Sequence, residues 1–283
     1  MSYITFERAK TWQAPRELSK ARQARALEKT SAELTYQIPK GSDKVIREHL
    51  EIFLSNICLY TRESFFLPGH RDSFILGKEI ITEQVRQLGE DKTLSIRAGL
   101  NPELLLENYL DTLKAVSKIR KHFSAFSINE IIFYSGLLKC PIPEILKLLK
   151  NSGVTQLGRS SKYSSESYLT DRLRIHELAH EKGISSDAEL HLSEENQLSR
   201  IPEYLERVSN IQKKTRGFSS LQLTLGEELS LDTELKFIAF CKLHAEGFSK
   251  VRVVLPSSLK RISLLALEYG ADEVVLVESY PKL

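Results

Sequence analysis

Eight short β-favouring runs alternate along this chain with amphipathic helical runs, and that alternation constrains the fold more than any other feature. The candidate strands are His49–Ile57, Thr93–Ala98, His122–Ser127, Val154–Gly158, Ser185–Leu190, Gly217–Thr224, Lys250–Leu255 and Glu273–Val277. Strands separated by helices pair in parallel, because a parallel pair needs a long crossover connection. Eight such units within 283 residues predict an α/β fold, a closed (β/α)8 TIM-type barrel with its site at the carboxyl ends of the strands. A doubly wound open sheet is the alternative. No composition break marks a linker, so residues 49–283 read as one barrel and residues 1–48 as an N-terminal helical extension packed on it.

The intervening runs carry helix punctuation. In "NPELLLENYLDTLKAVSKI", Leu104, Leu105, Tyr109 and Leu113 recur at helical spacing, and Asn101-Pro102 supplies a cap and a first-turn proline. "IPEILKLLKNSG" stops at Gly153, "SSESYLTDRLRIHELAHEKG" at Gly183 and "LKRISLLALEYG" at Gly270, each a plausible C-cap. The stripe Leu264, Leu265, Leu267 reads as barrel packing.

Charge excludes some partners. Forty basic against thirty-seven acidic side chains leave a net +3, too balanced for a polyanion partner, so no nucleic acid is expected. The more basic first thirty residues read as a solvated helix. No signal-peptide run and no stretch near the ~18 apolar residues of a membrane span is present. Cys58, Cys140 and Cys241 are widely spaced, without a CxxC pair, as suits a reducing cytoplasm. There is no GxGxxG, no P-loop and no nucleophile elbow.

One stretch is more specific than the fold. "SNICLYTRESFF", residues 55–66, sets Cys58 at the end of the first strand. It resembles the start of the radical S-adenosylmethionine (SAM) signature, Cys-x3-Cys-x2-Cys. The chain resembles in particular the branch containing aminofutalosine synthase and dehypoxanthine futalosine cyclase, of menaquinone biosynthesis, and a deazaflavin-synthase component. The similarity runs from about residue 45 to 280. It is carried by "AGLNPELLLENYLD", "SAFSINEI", "LAHEKGIS", the order of Glu195, Arg200, Gln212, Gly217 and Phe218, and "ALEYGADEVV". The resemblance implies a barrel of the radical SAM kind. It also implies three thiolates holding a [4Fe–4S] cluster whose open iron takes SAM.

The motif is incomplete. The second cysteine position is Arg62, the third is Phe65, and the aromatic expected before it is Ser64. One thiolate cannot hold a cluster in the family's manner, and arginine is no ligand at neutral pH. The family's Gly-rich segment reads "LGRSSKYSS", with Lys162 at its glutamate position and Arg159 and Ser160 at its glycines. Its Gly-Gly reads Ala98-Gly99, and its Gly-His-x-Glu-Thr keeps only Glu195. Cys58, Arg62 and Phe65 thus read as a vestigial cluster motif, and Ala98, Gly99, Glu130 and Glu195 as a vestigial SAM and substrate pocket. The expectation is a cytoplasmic pseudoenzyme with no catalytic residue and no cofactor. An active futalosine-pathway enzyme with an unconventionally held cluster is the alternative.

Two further readings compete. Basic residues would gather at the strand carboxyl ends: Arg62, His70 and Arg71 after the first, Arg97 ending the second, Arg159 and Lys162 after the fourth. The bland reading points each to solvent. The sharper one makes Arg62, Arg97, Arg159 and Lys162 an anion site, offset by Glu130 or Glu195, for a small anionic metabolite; a partner protein is the other candidate ligand. Separately, "HELAH" matches the zinc-protease pattern, with His176 and His180 one helical turn apart and Glu177 as base, making a zinc hydrolase a second alternative. No third ligand is evident, since His191, Glu194 and Glu195 are candidates only by proximity. The metal reading is therefore the weaker one.

Overall fold

The computed structural model describes residues 44–59, 68, 70, 72–160, 169–192, 200–225 and 229–280. Within them all eight expected strands form: β1 (Val45–Phe53), β2 (Thr93–Arg97), β3 (Ser124–Ala125), β4 (Gln156–Leu157), β5 (Ser186–Leu192), β6 (Phe218–Leu225), β7 (Val251–Pro256) and β8 (Glu273–Tyr280). The helices are α1 (Lys78–Gln87), α2 (Leu106–Ser117), α3 (Ile128–Leu138), α4 (Ile142–Asn151), α5 (Leu169–Glu181), α6 (Ile201–Thr215), α7 (Leu231–His244) and α8 (Ser263–Glu268). A 3-10 stretch, Ser257–Ile262, leads into α8. Of the expected extension at 1–48, residues 1–43 lie outside the described residues, and Val45–Glu48 belong to β1 rather than to a helix.

Every registered pair is parallel, in the order β4-β3-β2-β1-β8-β7-β6-β5. The two end strands meet through one parallel bridge, Gln156 to Ser185, so a nearly closed (β/α)8 barrel results. First and last strands do pair, but in a different register from a simple centre-to-centre match. Ile46 stands beside Val274 and Ile52 beside Tyr280, because β1 begins at Val45 and the barrel shear offsets it.

Strand periodicity divides the side chains into two populations. One set meets the helices in two apolar cores. Ile52, Leu54, Leu94, Ile96 and Ala125 join Tyr109, Leu113, Ile131 and Leu146 in the first. Leu221, Leu223, Val253, Val274 and Leu276 join Leu205, Val208, Phe237 and Phe240 in the second. Burying each such side chain contributes roughly 1.5–3 kcal/mol. The other set faces the lumen, and apart from Val254, Val275 and Val277 much of it is polar: His49, Glu51, Ser95, Arg97, Asp187, Glu189, Gln222, Arg252 and Glu273. A TIM barrel ordinarily fills that space with branched aliphatics.

Two local expectations about the helices are corrected. α2 starts at Leu106, not near Pro102. Asn101 instead accepts the Glu103 N–H (2.8 Å) and donates to Ser55 Oγ (2.8 Å), spending its side chain on a loop. Leu264 is 63 % exposed, so only Leu265 and Leu267 of its stripe pack. The stops hold: Gly153, Gly183 and Gly270 all take positive φ. At Gly153 a Cβ would also lie 2.4 Å from Ser117 Cβ, so the residue must be small as well as left-handed.

Candidate functional site

The lumen near the strand carboxyl ends is organised by a carboxylate the motif reading did not single out. Glu51, on β1, is 2 % exposed and accepts both Arg159 Nη2 (3.1 Å to each oxygen) and Arg159 Nε (3.2 Å). Arg97, at the end of β2, places Nη1 3.6 Å from the same Oε1 and its guanidinium 5.5 Å from the centre of the Phe53 ring. Burial works to raise the Glu51 pKa, but Arg159, Arg97 and His49 outweigh it and hold it down to about 2. Two guanidiniums therefore share one carboxylate. Arg97 Nε is buried with no hydrogen-bond partner.

A second carboxyl, Glu189 on β5, accepts the Ser160 N–H at both oxygens (2.8 and 3.0 Å). Burial pushes its pKa up to about 7, against the lowering influence of that hydrogen bond and of Arg172 and Arg159. Deeper, Arg252 on β7 donates to Asp187 Oδ2 (2.8 Å) and Glu273 Oε2 (2.9 Å). Asp187 also takes Ser220 Oγ (2.6 Å) and Gln156 Nε2 (2.8 Å).

Among the expected site residues, Arg97 and Arg159 come together, and Glu51 is their counter-charge. Glu130 has other work. It closes a capping box with Ser127 at the start of α3, accepting the Ser127 N–H (2.7 Å) and Oγ (2.8 Å) through Oε2. Its Oε1 accepts the Ala98 N–H (2.8 Å), tying the end of β2 to α3. Gly99 follows with φ 69. His70 is exposed in the loop after β1 and accepts the Asp72 N–H (3.2 Å) within that loop. Arg62, Phe65, Arg71, Lys162, Glu194 and Glu195 lie outside the described residues.

Cys58 is 5 % exposed, and its sulfur accepts the Leu100 N–H at 3.5 Å. Ser55 and Asn56 pin the same loop: Ser55 Oγ accepts the Ile57 N–H (2.9 Å), and Asn56 exchanges bonds with Asp72 O and the Phe74 N–H. The thiol is thus a buried strut between the loops after β1 and β2. Cys140 is half-buried between α3 and α4, and Cys241 is buried in the α7 core, where burial pushes its thiol pKa up.

The "HELAH" residues lie on α5, on the outer layer. His176 Nδ1 and His180 Nε2 both meet Ser186 Oγ (2.8 and 2.9 Å), and His180 Nδ1 meets Thr215 Oγ1 (2.8 Å). Burial lowers the His176 pKa to about 3 and that of His180 to about 4. Glu177 faces elsewhere, paired with Arg174 (3.0 Å) and Lys214 (3.1 Å). These contacts lock α5 onto β5 and the end of α6. Among the described residues no three His, Cys, Asp or Glu side chains gather in a metal-holding group.

No family model matches the chain. Curated relatives do. Aminodeoxyfutalosine synthase of Thermus thermophilus is 23 % identical over 216 residues, covering 64 % of this chain and 56 % of its own length. The Streptomyces coelicolor aminodeoxyfutalosine synthase is also 23 % identical, over 73 % of this chain and 62 % of its own. A 5-amino-6-(D-ribitylamino)uracil–L-tyrosine 4-hydroxyphenyl transferase of Methanosarcina acetivorans is 26 % identical over 79 % and 66 %. The chain therefore spans less than two thirds of the length of each of these relatives. Among solved structures, methylornithine synthase (PylB) superposes with a TM-score of 0.61 at 13 % identity, over 92 % of this chain and 77 % of its own. A tryptophan synthase complex of Pyrococcus furiosus gives 0.53 at 13 %, over 83 % and 87 %. No helix among the described residues is long and apolar enough to cross a membrane. Strand order and sequence similarity agree: the chain is similar, at 23–26 % identity, to the aminodeoxyfutalosine synthases and the hydroxyphenyl transferase, and it shares the (β/α)8 barrel fold.

Proposed function

We propose that this chain is a radical-SAM-like barrel that builds no [4Fe–4S] cluster and binds a small anionic metabolite at the carboxyl ends of its strands, through Arg97 and Arg159. The observation that carries the reading is that two guanidiniums pair directly with one buried carboxylate, Glu51, while Glu130 and Glu189 act only from further away and Arg97 Nε makes no hydrogen bond. A buried positive charge in that setting is offset by an anion, and a guanidinium fork matches a carboxylate or phosphate edge. The relatives are named as synthases and a transferase of small molecules, which agrees with a small-molecule ligand.

The donor set does not fit the cluster. Cys58 supplies one thiol, already engaged by the Leu100 N–H, while the other motif positions carry Arg62 and Phe65. Cys241 is buried in another layer and Cys140 sits at the end of α3.

The test has two arms. Anaerobic reconstitution with iron and sulfide should leave the protein colourless and iron-free, with no SAM cleavage above background; stoichiometric iron would restore the enzyme reading. Acetate, phosphate and an aromatic carboxylate should include at least one that raises Tm, with about 2.7 kcal/mol gained at a hundredfold excess over Kd. Arg97→Ala or Arg159→Ala should abolish that rise. A rise surviving both, or no rise with any anion, refutes the anion reading, and the latter outcome favours a protein ligand.

A further inference from the structure

The opposite end of the barrel holds a cavity that shares only Arg159 with the proposed anion site. It measures about 540 Å³, within the range of small-molecule sites. Its rim is built from the amino ends of strands: Thr93, His122, Thr155, Ser185 and Glu273 all line it. Its inner end is marked by Arg159, which follows β4 and is held by Glu51. A TIM-type barrel keeps its chemistry at the other face.

Two buried groups inside it lack partners. Ser95 Oγ, on a residue 1 % exposed, and Gln222 Nε2, on a residue 5 % exposed, line the cavity without a hydrogen bond. β2 and β6 are four places apart in the eight-strand order, so the two groups stand across the lumen from each other. A buried polar group left unsatisfied keeps the cost of its lost hydration. Such pairs in a roomy cavity are a mark of a site built for something.

The charges say what. Arg159 and Arg252 line the cavity, but Glu51 engages the first and Asp187 and Glu273 the second, and Asp187 and Glu273 line it too. Burial lowers the pKa of His49, another lining group, to about 4, so it is neutral at pH 7. The guanidiniums and carboxylates of the lining thus balance, two against two, and leave no net positive charge between them for an anion. Beside the Arg252–Glu273 pair, the wall from β7 and β8 is Val254, Val275 and Val277; the strands across from it bring Ser124 and Gln156. An apolar wall facing a hydroxyl and amide wall suits a molecule with a C–H face and a rim of hydroxyls. From this we infer that the amino-terminal mouth is a second binding site, for a neutral polyhydroxylated ligand of monosaccharide size, held across the lumen by Ser95 and Gln222.

The test is saturation-transfer NMR on the full chain with D-glucose, D-ribose and myo-inositol, beside acetate and phosphate. At least one polyol should receive saturation. Gln222→Leu should weaken it about tenfold, the loss of one well-made hydrogen bond of about 1.4 kcal/mol. Ser95→Ala should weaken it several-fold, and it keeps the test alive if Gln222→Leu fails to melt cooperatively. Arg97→Ala should leave polyol binding intact while abolishing any anion effect, which separates this site from the anion reading. No saturation of any polyol, transfer to the anions alone, or polyol binding that survives both cavity variants overturns the proposal.

Discussion

Replacing Glu51 with glutamine tests the account of the lumen at its centre. The carboxylate is buried and held at a pKa of about 2 by two guanidiniums, against an ordinary 4.5. A group with a depressed folded pKa contributes stability that is full above its unfolded pKa and lost as pH falls toward its folded one. At about 1.4 kcal/mol per pH unit, the drop is worth about 3 kcal/mol, present at pH 7 and drained between pH 4.5 and about 2. The cost of breaking a buried pair from one side, about 3–5 kcal/mol, agrees. For a domain of this size that is about 6–12 °C in Tm. The assay is thermal melting of wild type and Glu51→Gln at pH 7 and at pH 3. The gap should be large at pH 7 and smaller at pH 3, and acetate should stabilise the variant more than the wild type. A variant melting within about 2 °C of wild type at pH 7 would refute the reasoning, as would a gap that does not change with pH.

Other expectations follow from single contacts. Gly217→Ala should lower stability by about 2–4 kcal/mol, because its Cβ would fall 2.1 Å from the ring of His180, which Ser186 and Thr215 hold in place; urea denaturation reads it, and His180→Ala should recover part of the loss. Glu189→Gln should melt no lower than wild type at pH 8, since burial makes ionising this carboxyl in the folded protein cost stability, a cost that grows from pH 4.5 and is complete above about 7; a clear drop would show the charge to be needed. His176 and His180, neutral when folded, should make the protein less stable as pH falls from 6.5 toward 4, and Ser186→Ala melts across that window read the change in slope. Truncation after Gly270 removes β8 with Glu273 and opens edges on β1 and β7, so it should give insoluble protein; a soluble fragment with a cooperative melt would contradict the pairing.

The fold was legible because its signals are local. β-favouring runs and glycine stops at Gly153, Gly183 and Gly270 mark elements without reference to distant residues. The pairing of first and last strands followed from closure, but its register did not, since shear depends on the whole barrel. At the site, Arg97 and Arg159 were visible by position, whereas Glu51 was overlooked inside a strand read for its apolar members. A signal was there: "VIREHLEIF", "SDAELHL" and "VRVVLP" carry charge in strands that a parallel barrel covers on both sides, where charge must face the lumen. Glu130 shows the converse. Its capping box with Ser127 is a local pattern that a search for site residues passed over.

The barrel wall is bound like a book. Its spine is β1 against β8, paired from Val45 with Glu273 to Ile52 with Tyr280, and an apolar core backs each cover. Its fore-edge is the meeting of β4 and β5, fastened by the single bridge at Gln156 and Ser185 and by bonds from Leu157 N to Ser185 O and Ser185 N to Thr155 O. Opening costs least where fewest bonds are broken. The amides of Leu157 and Ser185 should therefore exchange with deuterium before those of β1 and β8. Contents of the lumen would have a sideways door as well as two ends.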